Sequence, residues 1–147
     1  MYVADSKRLT LAGAKKMMAT AIARAQESGV AVTVAIADAG GHLLLLERME
    51  GGRFHTVHSA TAKALCAAST RRPTGPKGAA GQALDVTHAL GLALAAGGEN
   101  WTAMEGGCPV LVDGHCVGAV GVAGGSFELD ARLAREAVES IGAGVGE

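Results

Sequence analysis

Histidine, cysteine and lysine side chains gather in one segment, from Phe54 to Thr70, which is rich in alanine and lacks glycine and proline. At about 100° per residue on a helix, His55 and Cys66 lie within roughly 40° of each other, and His58 lies about 60° to one side. A neutral imidazole or a thiolate can ligate heme iron, and two histidines one turn apart can share a metal. His55 and His58 are therefore candidate ligand-binding and iron-binding residues, although partly exposed polar residues give the same pattern.

Lys63 lies about 80° around the same helix from His55. Burial lowers the pKa of a lysine amine, so Lys63 is a candidate general base, with His58 as the alternative proton carrier. Lys63 is equally a candidate cation for a carboxylate ligand. An ion pair with Asp38 or another acid accounts for the same lysine without any ligand.

Two charged residues outside this segment are further candidates for ligand binding. Asp38 opens the turn "DAGGH", where its carboxylate can contact a ligand or accept hydrogen bonds from its own turn amides. Arg72 follows the end of the predicted helix, where its guanidinium can hold a carboxylate or propionate through two hydrogen bonds. A solvated helix end explains Arg72 equally well.

The glycine-rich stretch "GAVGVAGGSFELD", residues 118–130, resembles a phosphate-binding loop only superficially. Its glycine spacing differs from that of a dinucleotide-binding loop, no Lys-Ser or Lys-Thr follows it, and too little sequence remains for a second strand. We interpret it as a buried strand and a turn leading to a helix capped by Ser126. The amides of Gly124 and Gly125 either hold an anion or serve only the turn.

Length and charge limit the classes of protein that this sequence fits. Its 147 residues predict a single domain, residues 1–147. The net charge of -1 and the absence of a basic run argue against nucleic-acid and anionic-membrane partners. The apolar runs are too short to cross a bilayer, and the N-terminus lacks the apolar region of a secretory signal, so we expect a cytoplasmic protein.

The order of the predicted elements favours an antiparallel sheet flanked by helices. A helix over Leu9–Ser28 precedes a hairpin formed by "VAVTVAIAD" and "LLLLERM". The remaining expectations are a helix over Phe54–Thr70, an interrupted or short helix within Ala79–Ala96, a short strand over Trp101–Glu105, a hairpin turning at Asp113-Gly114, and a last helix ending near Ile141.

Several motifs together resemble the GlcG/HbpS family, which also occurs at the C-terminus of PduO-type corrinoid adenosyltransferases. They are "SGVAVTVAIADAGGHLLLLERMEG", "SATAKALCAA" and "EGGCPVLVDGHCVGAVGVAGG", followed by an acid at Asp130. The resemblance implies a profilin-like three-layer α/β/α fold with a five-stranded antiparallel sheet, homo-oligomers, and binding of heme or a related tetrapyrrole. It also matches Lys63 to the lysine of the family's A-x-x-K-A stretch.

The sequence departs from the family pattern in two places. Ser126-Phe127 stands where the family commonly has Thr-Pro, and "FHTVH" at the start of the second helix is not a general family feature.

Two functions remain open. One is an oligomeric protein that binds heme, another tetrapyrrole or a small acidic ligand beside the second helix. The other is a small cofactor-independent tautomerase, isomerase or lyase acting on an acidic metabolite through Lys63 or a histidine, since no catalytic triad or metal-ligand set stands out.

Overall fold

Four helices and four strands form within residues 1–146, the part of the chain that the computed structural model describes. In chain order they are α1 (Leu11–Glu27), β1 (Thr33–Asp38), β2 (Leu43–Arg48), α2 (His55–Thr70), α3 (Val86–Ala96), β3 (Gly107–Val112), β4 (His115–Ala123) and α4 (Phe127–Glu139).

Capping side chains decide where three of the helices begin. The caps are Thr10 for α1, Asp85 for α3 and Ser126 for α4, and each side-chain oxygen accepts a hydrogen bond from a backbone amide three residues later. Such caps satisfy amides that have no partner inside the helix. The cap that the sequence predicts at Ser126 is therefore confirmed. Helix α2 ends where Arg71 adopts a left-handed conformation with φ 60°.

The four strands form one antiparallel sheet in the order β2-β1-β4-β3. The hairpin of β3 and β4 turns at Asp113 and Gly114, and Leu111 lies opposite Cys116. This register is the one that the Asp-Gly turn predicts. The central position of β1 and β4 buries both strands between helices.

Helices cover the sheet on both faces, but the two faces are built from side chains of different size. Helices α1 and α4 pack on one face, where the layer consists of large aliphatic side chains, among them Ile36 and Val120 of the strands and Leu133 of α4. Helix α2 packs on the other face against alanines and against Gly121. A Cβ atom at Gly121 would meet the carbonyl oxygen of Ala60, so the backbones of α2 and β4 are in direct contact.

The mixed α/β class and the antiparallel sheet are confirmed, but the prediction of five strands is wrong for residues 1–146, where the sheet has four. The predicted strand over Trp101–Glu105 does not form. There the Met104 amide donates a hydrogen bond to the hydroxyl of Thr102, two residues earlier, at 3.1 Å. Such a local bond competes with strand pairing.

Helix α3 is short, as the sequence predicts for a helix within Ala79–Ala96, and it lies outside the layers formed by the sheet and the other helices. It begins at Val86, and before it the Gly78 amide bonds to the Gln82 carbonyl and closes a turn. None of the residues of α3 is buried, and Val86 and Leu94 are 82% and 75% exposed. Across residues 1–146, no helix has both the length and the apolar character needed to cross a bilayer.

Candidate functional site

A buried ion pair links α2 to α4 at the end of the sheet. Lys63 and Asp130 are only 2% and 1% exposed, and the Lys63 Nζ lies 3.3 Å from the Asp130 Oδ2. The same Nζ donates a hydrogen bond of 2.8 Å to the carbonyl oxygen of Val122 near the end of β4. Buried charges persist in proteins when they are paired and hydrogen-bonded in this way.

Glycines before and at the start of β3 make room for the lysine. A Cβ atom at Gly106 would lie 2.9 Å from the Lys63 Nζ, and one at Gly107 would meet the Lys63 carbonyl oxygen. Gly106 also has φ 125°, a conformation that other residues rarely adopt. The double glycine of "EGGCPV" therefore lets the lysine side chain pass along the sheet to Asp130.

The turn between β4 and α4 holds the Asp130 carboxylate in place. The Gly125 amide donates to its Oδ1 at 2.9 Å, and the neighbouring Gly124 amide also favours the charged carboxylate. The Asp130 amide in turn donates to the carbonyl oxygen of Ser126. The anion that these two glycine amides face in the structure is thus the protein's own aspartate.

Burial shifts the pKa values of Lys63 and Asp130 in the directions that favour their neutral forms. Loss of water lowers the pKa of the Lys63 amine, which the charges of Asp130 and Glu105 oppose. Loss of water likewise raises the pKa of the Asp130 carboxyl, against the opposing effects of Lys63 and the glycine amides. Pairs of this kind, whose environments move both pKa values, are enriched at sites of proton transfer.

A polar cavity of about 530 Å³ opens above this ion pair. Lys63 and Asp130 line it together with Gly124, Gly125 and Phe127 from the start of α4. Arg53 and His55, both exposed, contribute from the N-terminal end of α2. Within residues 1–146 neither of these two side chains has an ion-pair partner.

A larger cavity, of about 770 Å³, lies between α2 and α3. Its walls are mostly apolar, with Leu84, Val86 and Leu90 on the α3 side. His58 of α2 supplies the imidazole in this lining, and Met104 supplies a thioether. The combination of apolar walls with few polar groups is typical of ligand pockets.

A third cavity, of about 910 Å³, adjoins the C-terminal half of α2. Arg72 and Lys77 line it, and it shares Trp101 and Thr102 with the cavity between α2 and α3. Cys66 also lines it and donates a hydrogen bond to the Thr102 carbonyl oxygen at 3.5 Å. Burial raises the pKa of the Cys66 thiol, which disfavours the thiolate form that binds iron.

The structure separates several residues that the sequence places together. His55 and His58 line different cavities, and no group of three or more metal-ligating side chains occurs within the described residues. Asp38 accepts hydrogen bonds from the amides of Gly40 and His42 within its own turn. The ion-pair partner of Lys63 is Asp130 instead. The ligand-binding role of each candidate stays a prediction.

Asp130 is the residue of the site that sequence reasoning did not single out. The sequence motifs include it only as the acid that follows the glycine-rich stretch. Its position four residues after the cap Ser126, behind two glycines, is the signal that could have identified it. Nothing in the sequence alone relates that position to Lys63, which lies 67 residues away.

Comparison with known proteins places the chain among relatives of the same architecture. Protein GlcG of Escherichia coli K12 is 38% identical over 114 residues, which cover 74% of this chain and 76% of GlcG. The solved structure of Klebsiella pneumoniae ORFY superposes with a TM-score of 0.83 at 32% identity, covering 97% of each chain. The solved PduOC complex with heme has a TM-score of 0.82 at 25% identity and covers 96% of this chain and 100% of that one.

The match to a protein family extends over nearly the whole chain. Residues 9–139 match the family described as haem-degrading protein HbpS-like. This stretch contains every helix and strand of the structure, including Lys63, Asp130 and the glycines that position them. The protein therefore belongs to the HbpS-like family, as its sequence motifs indicate.

Proposed function

We propose that the protein binds heme or a related tetrapyrrole in the cavity between α2 and α3, with His58 as a ligand of the iron. The observation that carries this proposal is the exposed His58 imidazole, which has no hydrogen-bond partner within residues 1–146 and faces a mostly apolar cavity. The relative whose solved structure is a PduOC complex with heme supports the choice of ligand.

The chemistry of the lining fits a heme. Imidazole nitrogen and thioether sulfur are both established axial ligands of heme iron, and His58 and Met104 line the same cavity. Leu84, Val86 and Leu90 offer apolar contacts for the macrocycle. When bound, the heme would supply iron for ligand or electron exchange, and the His58 imidazole would hold that iron.

Cations for the heme propionates are absent from the lining of this cavity, which instead includes Asp85 and Glu99. Arg72 and Lys77 line the adjoining cavity beyond Trp101. We assign the propionates to that side, because Arg binds carboxylates in a bidentate geometry. His55 opens to the polar cavity instead, so of the two histidines only His58 is proposed as an iron ligand.

Titration of the heme-free protein with hemin tests this proposal. We expect a saturable shift of the Soret band with the wild-type protein, and its loss or strong weakening in His58→Ala. The matched variant His55→Ala should keep the shift, because His55 lines the other cavity. A wild-type protein that gives no stoichiometric shift, or a His58→Ala variant that binds as the wild type does, would contradict the proposal.

We also propose that the protein forms homo-oligomers through α3. The support is the apolar character of this helix combined with its exposure, since large exposed apolar patches commonly mark interfaces. Leu94 is 75% exposed and lies outside the heme cavity. We expect Leu94→Glu to lower the molar mass measured by light scattering after size-exclusion chromatography. An unchanged mass, or a monomeric wild-type protein, would exclude α3 as the interface.

A further inference from the structure

The polar cavity above Lys63 and Asp130 has no part in heme binding as proposed. It shares only Ser59 and Met104 with the cavity between α2 and α3. Its floor is a buried pair of opposite charges, whereas its rim carries the exposed Arg53 and His55. A separate ligand would therefore enter from the N-terminal end of α2.

The charges around this cavity favour an organic anion. Lys63 and Asp130 compensate each other across 3.3 Å, so the guanidinium of Arg53 remains as the cation without an ion-pair partner among the described residues. The charge of Glu105 raises the pKa of Lys63 without a direct contact between the two side chains. Arginine binds carboxylates through two parallel hydrogen bonds, and a volume of about 530 Å³ suits a small molecule.

The floor of the cavity places a proton donor beside a proton acceptor. The Lys63 ammonium and the Asp130 carboxylate lie 3.3 Å apart, and both line the cavity. Burial lowers the pKa of the lysine and raises that of the aspartate, which strengthens the first as a general acid and the second as a general base. The carbon acid that suits this arrangement is a C–H group next to a ketone, and the carboxylate bound by Arg53 makes the ligand an oxo acid.

We propose that this cavity is a second site, which binds a small 2-oxo acid and at which Lys63 and Asp130 interconvert its keto and enol forms. The Asp130 carboxylate takes the proton from the carbon next to the ketone, and the C–H electron pair becomes the C=C bond of the enol. The ketone oxygen takes a proton from the Lys63 ammonium. The pair passes from its charged to its neutral form, and the return of both protons restores the ketone.

Deuterium exchange of 2-oxobutyrate tests this proposal on the heme-free protein. In D₂O the C3 protons of the probe are replaced through the enol, and their proton NMR signal disappears. We expect the wild-type protein to accelerate this loss about 100-fold over buffer, and Lys63→Met to reduce it to the buffer rate. Asp130→Asn should also slow it, since an amide cannot take up the proton of the C–H group.

Arg53→Ala separates ligand binding from folding, because Arg53 is exposed and its loss leaves the core intact. This variant should raise the half-saturating concentration of 2-oxobutyrate about tenfold through the lost charge-assisted hydrogen bonds. The matched control is Arg135→Ala, an exposed arginine of α4 outside the three cavities described above, which should behave as the wild type. Wild-type exchange no faster than in buffer, or unchanged half-saturation in Arg53→Ala, would overturn the proposal, whatever the hemin titration shows.

Discussion

The two faces of the sheet differ in how closely a helix approaches the strands. On the α1 and α4 face, large aliphatic side chains such as Ile36 and Leu133 fill a wide layer. On the α2 face, alanines and Gly121 bring backbone against backbone. The wide face holds a conventional apolar core. The narrow face carries buried polar groups, among them the hydroxyl pair of Thr33 and Thr56 and the Lys63 amine.

This difference shows how the fold makes a site for chemistry. Because α2 lies close to the sheet, the long side chain of Lys63 spans to the end of β4 instead of reaching solvent. The turn between β4 and α4 then crosses to the other face of the sheet and brings the Asp130 carboxylate to the Lys63 amine. The ion pair therefore joins the narrow layer to the wide one at the point where the polar cavity opens.

The largest effect is expected from adding one methyl group to the narrow face. Gly121→Ala places a Cβ against the Ala60 carbonyl, where neither backbone can yield, so we expect a loss of about 4 kcal/mol or more in the free energy of unfolding. The neighbouring Val120→Ala, on the wide face, removes buried atoms and should cost about 2 kcal/mol.

Gly91→Ala is the matched control for Gly121→Ala, and denaturant unfolding measures all three variants. Gly91 lies in α3 with nothing near its added Cβ, so alanine should stabilise the protein by about 1 kcal/mol through helix propensity. A Gly121→Ala variant as stable as the wild type would refute the direct contact between α2 and β4.

The next effect is expected from breaking the ion pair. Lys63→Met leaves the Asp130 carboxyl buried without its cation, and we expect a loss of about 3 kcal/mol in the free energy of unfolding. Combining it with Asp130→Asn should cost less than the sum of the two single changes, because the double variant buries no charge. Additive costs in this thermodynamic cycle would indicate that the two side chains do not interact.

A smaller effect is expected from the hydroxyl pair on the narrow face. The Thr33 and Thr56 hydroxyls lie 2.7 Å apart and buried. Thr56→Val leaves the Thr33 hydroxyl without that partner and should cost about 1–2 kcal/mol in thermal or chemical unfolding. Thr33→Val combined with Thr56→Val should recover part of this loss. An unchanged free energy of unfolding in Thr56→Val would show that the hydrogen bond between the Thr33 and Thr56 hydroxyls does not stabilise the protein.

The pH dependence of stability tests the lowered pKa of Lys63. Between that pKa and the ordinary 10.5 of the unfolded chain, the unfolded chain binds more protons than the folded protein. The free energy of unfolding should therefore rise with pH in this window, by at most about 1.4 kcal/mol per pH unit. Unfolding of Lys63→Met should lack this rise. Identical slopes for the wild type and the variant would contradict the prediction.

Local patterns predicted most of the elements because local physics determines them. The helical spacing of α1, the Asp113-Gly114 turn and the Ser126 cap each depend on residues within a few positions. The strand predicted over Trp101–Glu105 was wrong because a hydroxyl of its own segment bonds the backbone there. Helix periodicity predicts that His55 and His58 lie near each other on α2, but it gives no information about the residues of other elements that form the rest of each cavity.

The sequence by itself determined the family, the mixed α/β class and Lys63 as a candidate. Only the tertiary structure decided that the partner of Lys63 is Asp130 rather than Asp38, and that the two histidines of α2 open to different cavities. The physical reason is that these relations join residues on separate elements. They depend on how closely α2 approaches the sheet, and that distance is set by glycines and alanines far apart in the chain.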